Sequence, residues 1–282
     1  MPAHTSAHRQ PIGLLAPAKL TLQLRITGTR RDGYHLIDAE MVTLDLCDEI
    51  VVHPSTASSI EVVPSVGAAG AADWDIPSDR SNLVIRALEL AGRTAHVEIR
   101  KRIPPGAGLG GGSADAAAVL RWTNRLAVSE AVEAVPATSR TQTPALITPQ
   151  QAATLGADVA FCLTGGRARV TGIGEIIESI PFRHQAFVLW TPPIQVNTAA
   201  VYRMWDEMGG PSGGSNDLEA AALAVHPELA VWRDELAQAT GRTPQLAGSG
   251  GTWFVPAPFG TRMNLPVRDG ISAVWVRAIG RL

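Results

Sequence analysis

Cysteine, positive charge and long apolar runs are all scarce in this sequence, and each scarcity excludes a class of protein. The 282 residues include only 2 cysteines, Cys47 and Cys162, each within an apolar segment. We therefore expect two buried, reduced thiols rather than a disulfide framework or a cysteine-rich metal site. Lys and Arg together number 24 and Asp and Glu 26, which gives a net charge of −2. Nucleic-acid binders usually carry a basic surplus, so we expect no nucleic-acid partner.

Targeting and membrane signals are missing as well. No apolar run approaches the roughly 20 residues that span a bilayer, and the polar segment 1–11 lacks the charged-then-apolar order of a signal peptide. These features predict a cytoplasmic protein with no membrane partner. The composition does include 45% apolar residues, enough for the cores of two modest domains or of one large domain. No motif specifies the oligomeric state, and a monomer and a homodimer both agree with the sequence.

The most informative segment is rich in glycine and lies between a predicted strand and a predicted helix. Five of the seven residues 106–112 are glycine. The pattern before them, at 96–103, alternates like a strand, and the pattern after them, at 116–127, has helical spacing. Glycine lets the backbone approach a ligand closely, and the positive end of the following helix attracts anions. The segment therefore predicts a polyphosphate cradle to which Ser113 adds a hydroxyl, with a plain flexible turn as the alternative. It is neither a P-loop nor a dinucleotide fingerprint.

Hydrophobic periodicity predicts a mixture of strands and helices elsewhere. Strict alternation from Lys19 to Ile26 predicts a half-buried strand with Lys19 and Thr21 on its open face. A helix is predicted to begin after its N-cap Thr148 and to end near Asp158. The other predicted elements are strands at 42–46, 50–53, 187–191 and 271–278, helices at 82–91, 198–208, 217–225 and 228–239, a hairpin over 167–180, a strand-turn-strand over 243–255, and a loop or frayed helix over 129–147.

Several segments together resemble motifs of the GHMP kinase superfamily. The segment from Pro104 to Ala114 is similar to its second, glycine-rich motif. Segments similar to its first motif, its catalytic-aspartate element, its Asn-Asp-x-Glu element and its third motif lie at 16–20, 155–159, 216–219 and 247–251. The run Asp-Gly-Tyr-His at 32–35 narrows the resemblance to the 4-diphosphocytidyl-2-C-methyl-D-erythritol kinases of the methylerythritol phosphate pathway to isoprenoids. Thr21 and Ala247 stand where that family usually has asparagine and serine.

The resemblance implies an α+β fold with two lobes and an active site in the cleft between them. The N-terminal lobe, of a type also seen in ribosomal proteins, would cover 12–160, and a C-terminal α/β lobe would cover 161–282. The implied co-substrate is ATP with Mg²⁺. Its predicted contacts in the glycine-rich segment are Pro104, Gly106, Gly108, Leu109, Gly110, Gly111, Gly112, Ser113 and Ala114. Asn82 could also lie near the nucleotide, or it could simply cap a helix.

Two charged residues are implied to carry the chemistry. Asp158 would be the general base, since an alcohol that attacks phosphorus must lose its proton. Lys19 would be its electrostatic partner and would stabilise charge on the phosphoryl group in transfer. Without the resemblance, Asp158 could equally end a helix at the surface and Lys19 could be a solvated lysine on a strand. No protein ligand for a metal is predicted.

The resemblance also implies a site for the acceptor. Tyr34 and Tyr202 are the only tyrosines of the chain, and they would stack on the two faces of a cytosine. His35 would contact the edge of this base, and Thr21 would lie among the substrate contacts. Tyr202 could instead be a core aromatic residue and His35 an ordinary turn residue. The turn at 249–251 is expected either to pack beside the phosphate segment or to be a simple hairpin turn.

The predicted reaction is transfer of the γ-phosphoryl group of ATP to the 2-hydroxyl of 4-diphosphocytidyl-2-C-methyl-D-erythritol. One alternative is another kinase of the superfamily, with homoserine or a mevalonate as acceptor. A second alternative is a non-catalytic homologue that binds nucleotide, because Thr21 and Ala247 depart from the family pattern.

Overall fold

Helices and strands are mixed along the whole chain in the computed structural model, which describes residues 10–64, 74–134, 145–210, 213–258 and 272–281. In chain order the elements are β1 (Ile12–Thr29), β2 (His35–Pro54), β3 (Ser59–Pro64), α1 (Leu83–Leu90), β4 (Ala95–Lys101), α2 (Gly111–Ala134), α3 (Pro149–Ala152), α4 (Ala157–Thr164), β5 (Arg167–Gly172), β6 (Ile176–Ser179), β7 (Ala186–Thr191), α5 (Thr198–Glu207), α6 (Glu219–Val225), α7 (Leu229–Thr240), β8 (Gln245–Leu246), β9 (Trp253–Ala257) and β10 (Ser272–Ile279). The predicted α+β class is confirmed.

Strand β2 organises the sheet. One of its edges pairs antiparallel with β1 along most of its length. Its other edge is shared in succession by β5, β10 and β4, and β3 continues the sheet parallel to β4. Strand β10 also pairs with β7, beyond which lie β9 and β8. The last strand therefore joins the sheet of the N-terminal half to the strands of the C-terminal half. The division at 160/161 stays a prediction.

The glycine-rich segment is anchored to the fold by its own apolar side chains. Ala107 and Leu109 are 2% and 1% exposed and belong to a buried cluster that also contains Leu20, Leu44 and Phe254. This cluster combines residues of β1 and β2 with residues of β9, so it packs against strands from both halves of the chain. Burial of this kind stabilises by roughly 1.5–3 kcal/mol per large aliphatic side chain. The segment is therefore a fixed part of the core rather than a loose surface turn.

Two predicted element bounds are wrong. The separate strands at 42–46 and 50–53 are parts of the single strand β2, because Asp48 between them is fully buried and paired instead of lying in a turn. Thr148 does cap α3 in a capping box with Gln151, but α3 ends at Ala152. Asp158 lies instead in the first turn of the next helix, α4.

The remaining predicted elements agree with the structure. The hairpin at 167–180 is the antiparallel pair β5 and β6, and the three helices of the C-terminal half are α5, α6 and α7. Of the segment predicted as a loop or frayed helix, the part up to residue 134 belongs to α2, and residues 135–144 lie outside the described ranges. Within those ranges, none of the helices is both long and apolar enough to cross a membrane.

Both cysteines are free thiols, as expected. Cys162 is buried and Cys47 is half-buried. Burial raises the pKa of the Cys162 thiol to about 12 and that of the Cys47 thiol to about 11. The raised pKa values disfavour the thiolate, which is the reactive form of cysteine.

The buried cluster beneath the glycine-rich segment generates a test of stability. Leu44 is 0% exposed, so Leu44→Ala should lower the free energy of unfolding by about 2–5 kcal/mol through lost burial and a cavity. Leu15→Ala is the matched control, because Leu15 is 61% exposed and its truncation should cost less than about 0.5 kcal/mol. Urea unfolding followed by circular dichroism measures both. Equal losses in the two variants would contradict this assignment of the core.

Candidate active site

The centre of the site is an ion pair between β1 and α4. Lys19 Nζ lies 3.2 Å from Asp158 Oδ2 and donates a hydrogen bond of 3.3 Å to Thr21 Oγ1. The side chain of Asp158 is 33% exposed, whereas that of Lys19 is only 6% exposed. The carboxylate therefore faces the open side of the site, where it could receive a proton. The ammonium group lies beneath it as a buried counter-charge.

The prediction that Lys19 and Thr21 lie on an open face is wrong. The two residues are 5% and 3% exposed, because two glycine-rich turns cover this face of β1. A Cβ atom on Gly110 would lie 2.9 Å from Lys19 Cγ, and one on Gly248 would lie 3.5 Å from Lys19 Nζ. Alternation along the strand could not reveal this cover, since both turns are far away in sequence.

The glycine-rich segment delivers free backbone N–H groups to the site. Gly106, Gly108 and Gly110 have φ values of 68°, 75° and 69°, a region that favours glycine. The carbonyl of Gly110 accepts the N–H of Ala114 at 2.8 Å and so begins helix α2. The N–H groups of the first helical turn have no partner within a helix, and the helix dipole adds positive charge there. This end of α2 can bind phosphate.

Two residues of the predicted nucleotide site are turned into the protein. Leu109 and Ala114 are each only 1% exposed, so neither residue offers appreciable surface to a ligand in this structure. The carbonyl of Leu109 is also engaged, since it accepts the N–H of Lys19 at 3.0 Å. Pro104, in contrast, is half-buried at the entrance of the segment. Ser113 is half-buried in the first turn of α2.

The second glycine-rich turn, residues 247–251, packs directly against the first. A Cβ atom on Gly108 would lie 2.4 Å from the carbonyl oxygens of both Ala247 and Gly250. A Cβ atom on Gly251 would lie 2.6 Å from the carbonyl oxygen of Gly106. The expectation that this turn neighbours the phosphate segment is confirmed, and the contact explains why several positions in both turns must be glycine.

Sequence reasoning matched Asn216 and Asp217 to a family motif but assigned them no role. Asn216 is 5% exposed, and its Nδ2 donates to the carbonyls of Leu246 and Gly248 at 2.9 and 2.7 Å. Asp217 Oδ2 accepts the N–H of Ile26 at 2.9 Å. The two side chains therefore tie the second glycine-rich turn to strand β1. The signal in the sequence was an amide and a carboxylate directly before an apolar helix.

Aromatic residues gather at the end of the site near the β1–β2 turn. The ring of His35 lies 4.8 Å from that of Tyr202 and 5.5 Å from that of Trp205, measured between centroids. His35 Nε2 lies 2.8 Å from Asp206 Oδ1, which fixes the orientation of the imidazole. Tyr34 directly precedes His35 in the sequence and is 59% exposed, so its ring is open to a ligand.

Tyr202 connects this cluster to the ion pair. Burial, reinforced by the negative charge of Asp158, raises the pKa of Tyr202 to about 12. Tyr202 also packs against the main core, which agrees with the alternative of a core aromatic residue, and its stacking on a cytosine stays a prediction. Sequence reasoning did not identify Trp205 and Asp206. Their spacing of three and four residues from Tyr202 puts all three on one face of α5.

Asn82 is the N-cap of α1. Its Oδ1 accepts the N–H of Val84 at 2.9 Å, and its Nδ2 donates to the carbonyl of Pro77 at 2.7 Å. The capping alternative is therefore correct. The start of α1 is nonetheless close to the glycine-rich segment, since a Cβ atom on Gly112 would lie 3.9 Å from Leu83 Cδ1. A contact between Asn82 and the nucleotide stays a prediction.

Comparisons with known proteins agree with this geometry. Residues 82–166 match the family model described as GHMP kinases N terminal domain. The chain is 34% identical to a 4-diphosphocytidyl-2-C-methyl-D-erythritol kinase of Paracoccus denitrificans (strain Pd 1222), over 85% of this chain and 84% of that protein. A crystal structure of a 4-(cytidine 5'-diphospho)-2C-methyl-D-erythritol kinase superposes with a TM-score of 0.64 at 31% identity, over 88% of this chain and 91% of that one. A homoserine kinase from Cytophaga hutchinsonii ATCC 33406 shares the fold, with a TM-score of 0.58 at 15% identity over 99% and 98% of the two chains.

The contact between the two glycine-rich turns can be tested by adding single methyl groups. Gly108→Ala should lower the free energy of unfolding by more than about 2 kcal/mol, because φ is positive and two carbonyl oxygens occupy the space. Gly112→Ala is the matched control in the first turn of α2, where no atom is closer than 3.9 Å. That change should leave stability equal or up to about 1 kcal/mol higher. Thermal unfolding measures both, and a tolerated Gly108→Ala would contradict the contact.

Proposed function

This chain belongs to the family of 4-diphosphocytidyl-2-C-methyl-D-erythritol kinases, and we propose that its site transfers the γ-phosphoryl group of ATP to the 2-hydroxyl of that acceptor. The observation that carries the proposal is the Lys19–Asp158 pair, 3.2 Å apart, between the N-terminus of α2 and the turn at 247–251. Phosphoryl transfer depends mainly on positioning and on charge stabilisation, so a short set of side chains suffices.

Each group has a distinct task in this mechanism. The N–H groups at the start of α2 bind the phosphates of ATP and align the γ-phosphorus. Asp158 accepts the proton of the acceptor hydroxyl as its oxygen forms a bond to phosphorus. The bond from phosphorus to the bridging oxygen breaks, and ADP leaves with the electron pair. Lys19 stabilises the negative charge on the phosphoryl oxygens during transfer, in a position shielded from water.

A magnesium ion would arrive with ATP rather than occupy a site built from protein carboxylates. Among the described residues, no group of three or more His, Cys, Asp or Glu side chains could hold a metal ion. Mg²⁺ commonly keeps phosphate oxygens and waters as ligands and needs few protein groups. The hydroxyl of Ser113, in the first turn of α2, is the protein group we assign to it. When bound, the ion would neutralise charge on the phosphates.

The aromatic cluster supports a cytidyl acceptor over homoserine or a mevalonate. The rings of His35, Tyr202 and Trp205 lie together, and Tyr34 is exposed beside them in sequence. A planar base can stack on such rings, whereas an aliphatic acceptor gains little from them. We assign Tyr34 and Tyr202 to the two faces of the cytosine and His35 to its edge.

A non-catalytic homologue is the less favoured alternative. The Lys19–Asp158 pair supports catalysis over this alternative, since a partly exposed carboxylate beside a buried ammonium group can accept a proton from an acceptor hydroxyl. Thr21 also keeps a polar contact with Lys19 where the family usually has asparagine. The proposed setting is the cytoplasm, with small molecules as the only ligands and with the chain acting as a monomer or a homodimer.

Removal of the general base tests the mechanism. Asp158→Asn should lower kcat by about 10²–10⁴-fold and leave the dissociation constant for ATP nearly unchanged, because Asp158 acts on the acceptor. ADP release with 4-diphosphocytidyl-2-C-methyl-D-erythritol measures turnover. Asp234→Asn is the matched control, because this carboxylate on α7 is 67% exposed and pairs with its neighbour Arg233. Full turnover by the Asp158→Asn enzyme would refute the assignment.

The choice of acceptor is tested by removing the exposed ring. Tyr34→Ala should raise KM for the cytidyl acceptor about 5- to 150-fold and leave kcat similar, as expected for about 1–3 kcal/mol of stacking energy. Phe182→Ala removes another partly exposed ring, 39% exposed, and should leave KM unchanged. Steady-state kinetics at saturating ATP separates the two variants. An unchanged KM for Tyr34→Ala would argue against a stacked cytosine.

A further inference from the structure

Three charged side chains lie buried beneath the glycine-rich segment, and the proposed reaction uses none of them. Asp48, Lys101 and Asp115 are 0%, 3% and 4% exposed. Lys101 Nζ donates to Asp115 Oδ2 at 2.7 Å and also to Asp48 Oδ2. Two carboxylates therefore share one ammonium group in the interior. We refer to these three residues as the buried triad.

The triad joins the two ends of the glycine-rich segment. Lys101 is the last residue of β4, just before the segment, and Asp115 lies in the first turns of α2, just after it. Asp48, on β2, accepts the N–H groups of Arg102 and Ile103 through Oδ1 at 2.6 and 2.9 Å. Both ends of the segment are thus fixed to one point on the central strand of the sheet.

The triad is also in contact with the phosphate-binding end of α2. A Cβ atom on Gly111 would lie 3.2 Å from Lys101 Nζ, so the ammonium group packs against the first residue of the helix. A movement of this lysine or of Asp115 would therefore shift the N–H groups of Gly111 and Gly112.

Stability alone does not account for the triad. Burial of ions costs several kcal/mol per ion, and well-packed apolar residues often serve stability as well or better. The second carboxylate oxygen of Asp115, Oδ1, has no hydrogen-bond partner, which adds a further cost. Desolvation raises the pKa of the Asp115 carboxyl to about 7 against the attraction of Lys101. What the triad does provide is a directional link between three chain segments.

We propose that Asp48, Lys101 and Asp115 are positioning residues that hold the start of α2 in register with the nucleotide phosphates. They act through the backbone of the glycine-rich segment and do not touch the ligand. This inference rests on the nucleotide site of the proposed function, although it does not depend on which alcohol accepts the phosphoryl group. Losing the link should weaken nucleotide binding more than it slows the chemical step.

A pair of substitutions at Asp115 separates this role from a purely structural one. Asp115→Leu removes the link to α2, leaves the Asp48–Lys101 pair intact and fills the position with a somewhat larger apolar side chain. We expect KM for ATP and the dissociation constant of ADP to rise about tenfold or more, as for the loss of one hydrogen bond to a charged group. The values of kcat and of KM for the acceptor should stay within about threefold of the wild-type values. Asp115→Asn keeps an oxygen that can accept from Lys101 and imitates the protonated carboxyl, so it should restore nucleotide affinity to near the wild-type value.

Fluorescence titration with a labelled ADP, alongside thermal unfolding and steady-state kinetics, provides the readouts. Unchanged nucleotide affinity in Asp115→Leu would overturn the proposal, as would an equal loss of affinity in Asp115→Asn. Asp115→Ala, which removes the same link without added bulk, takes the place of Asp115→Leu should that variant fail to fold. Wild-type protein that binds ADP but phosphorylates no cytidyl acceptor would refute the proposed function and leave this inference standing. Wild-type protein that binds no nucleotide would refute both.

Discussion

The close approach of two glycine-rich turns is the constraint on which the site depends. Gly108 meets the carbonyl oxygens of Ala247 and Gly250 at a distance that leaves no room for a side chain. This contact brings a segment of the N-terminal half against one of the C-terminal half, above strand β1. It also shields Lys19 from solvent, so the ammonium group faces Asp158 and Thr21 in a largely dry environment. Electrostatic interactions are stronger there than in water.

Charged side chains lie on both sides of the glycine-rich segment. Lys19 packs against the position of Gly110, and Lys101 packs against that of Gly111. The first lysine pairs with the partly exposed Asp158 and faces the reaction, whereas the second is enclosed by two buried carboxylates. Two consecutive glycines therefore separate the cation that we propose for chemistry from the cation that we propose for positioning. The arrangement explains how a flexible residue type can form a rigid cradle.

Local patterns in the sequence predicted much of the fold but less of the site. The glycine-rich segment, the capped start of α3 and the hairpin of β5 and β6 all depend on neighbouring residues, so periodicity and turn chemistry revealed them. The burial of Lys19 depends on turns about 90 and 230 residues further along the chain, and no local pattern contains that information. The wrong prediction of two strands on either side of Asp48 has the same cause, because the partner that allows this carboxylate to be buried, Lys101, lies on another strand. Motif resemblance pointed to Asp158, yet only the structure shows that it begins a helix rather than ending one.

A crystal structure with a non-hydrolysable ATP analogue and 4-diphosphocytidyl-2-C-methyl-D-erythritol would test the central claim most directly. The account predicts β- and γ-phosphates at the N-terminus of α2, the 2-hydroxyl of the acceptor within hydrogen-bond reach of Asp158, and the cytosine beside Tyr202 and His35. A γ-phosphate remote from Lys19, or an acceptor hydroxyl that does not reach Asp158, would contradict it.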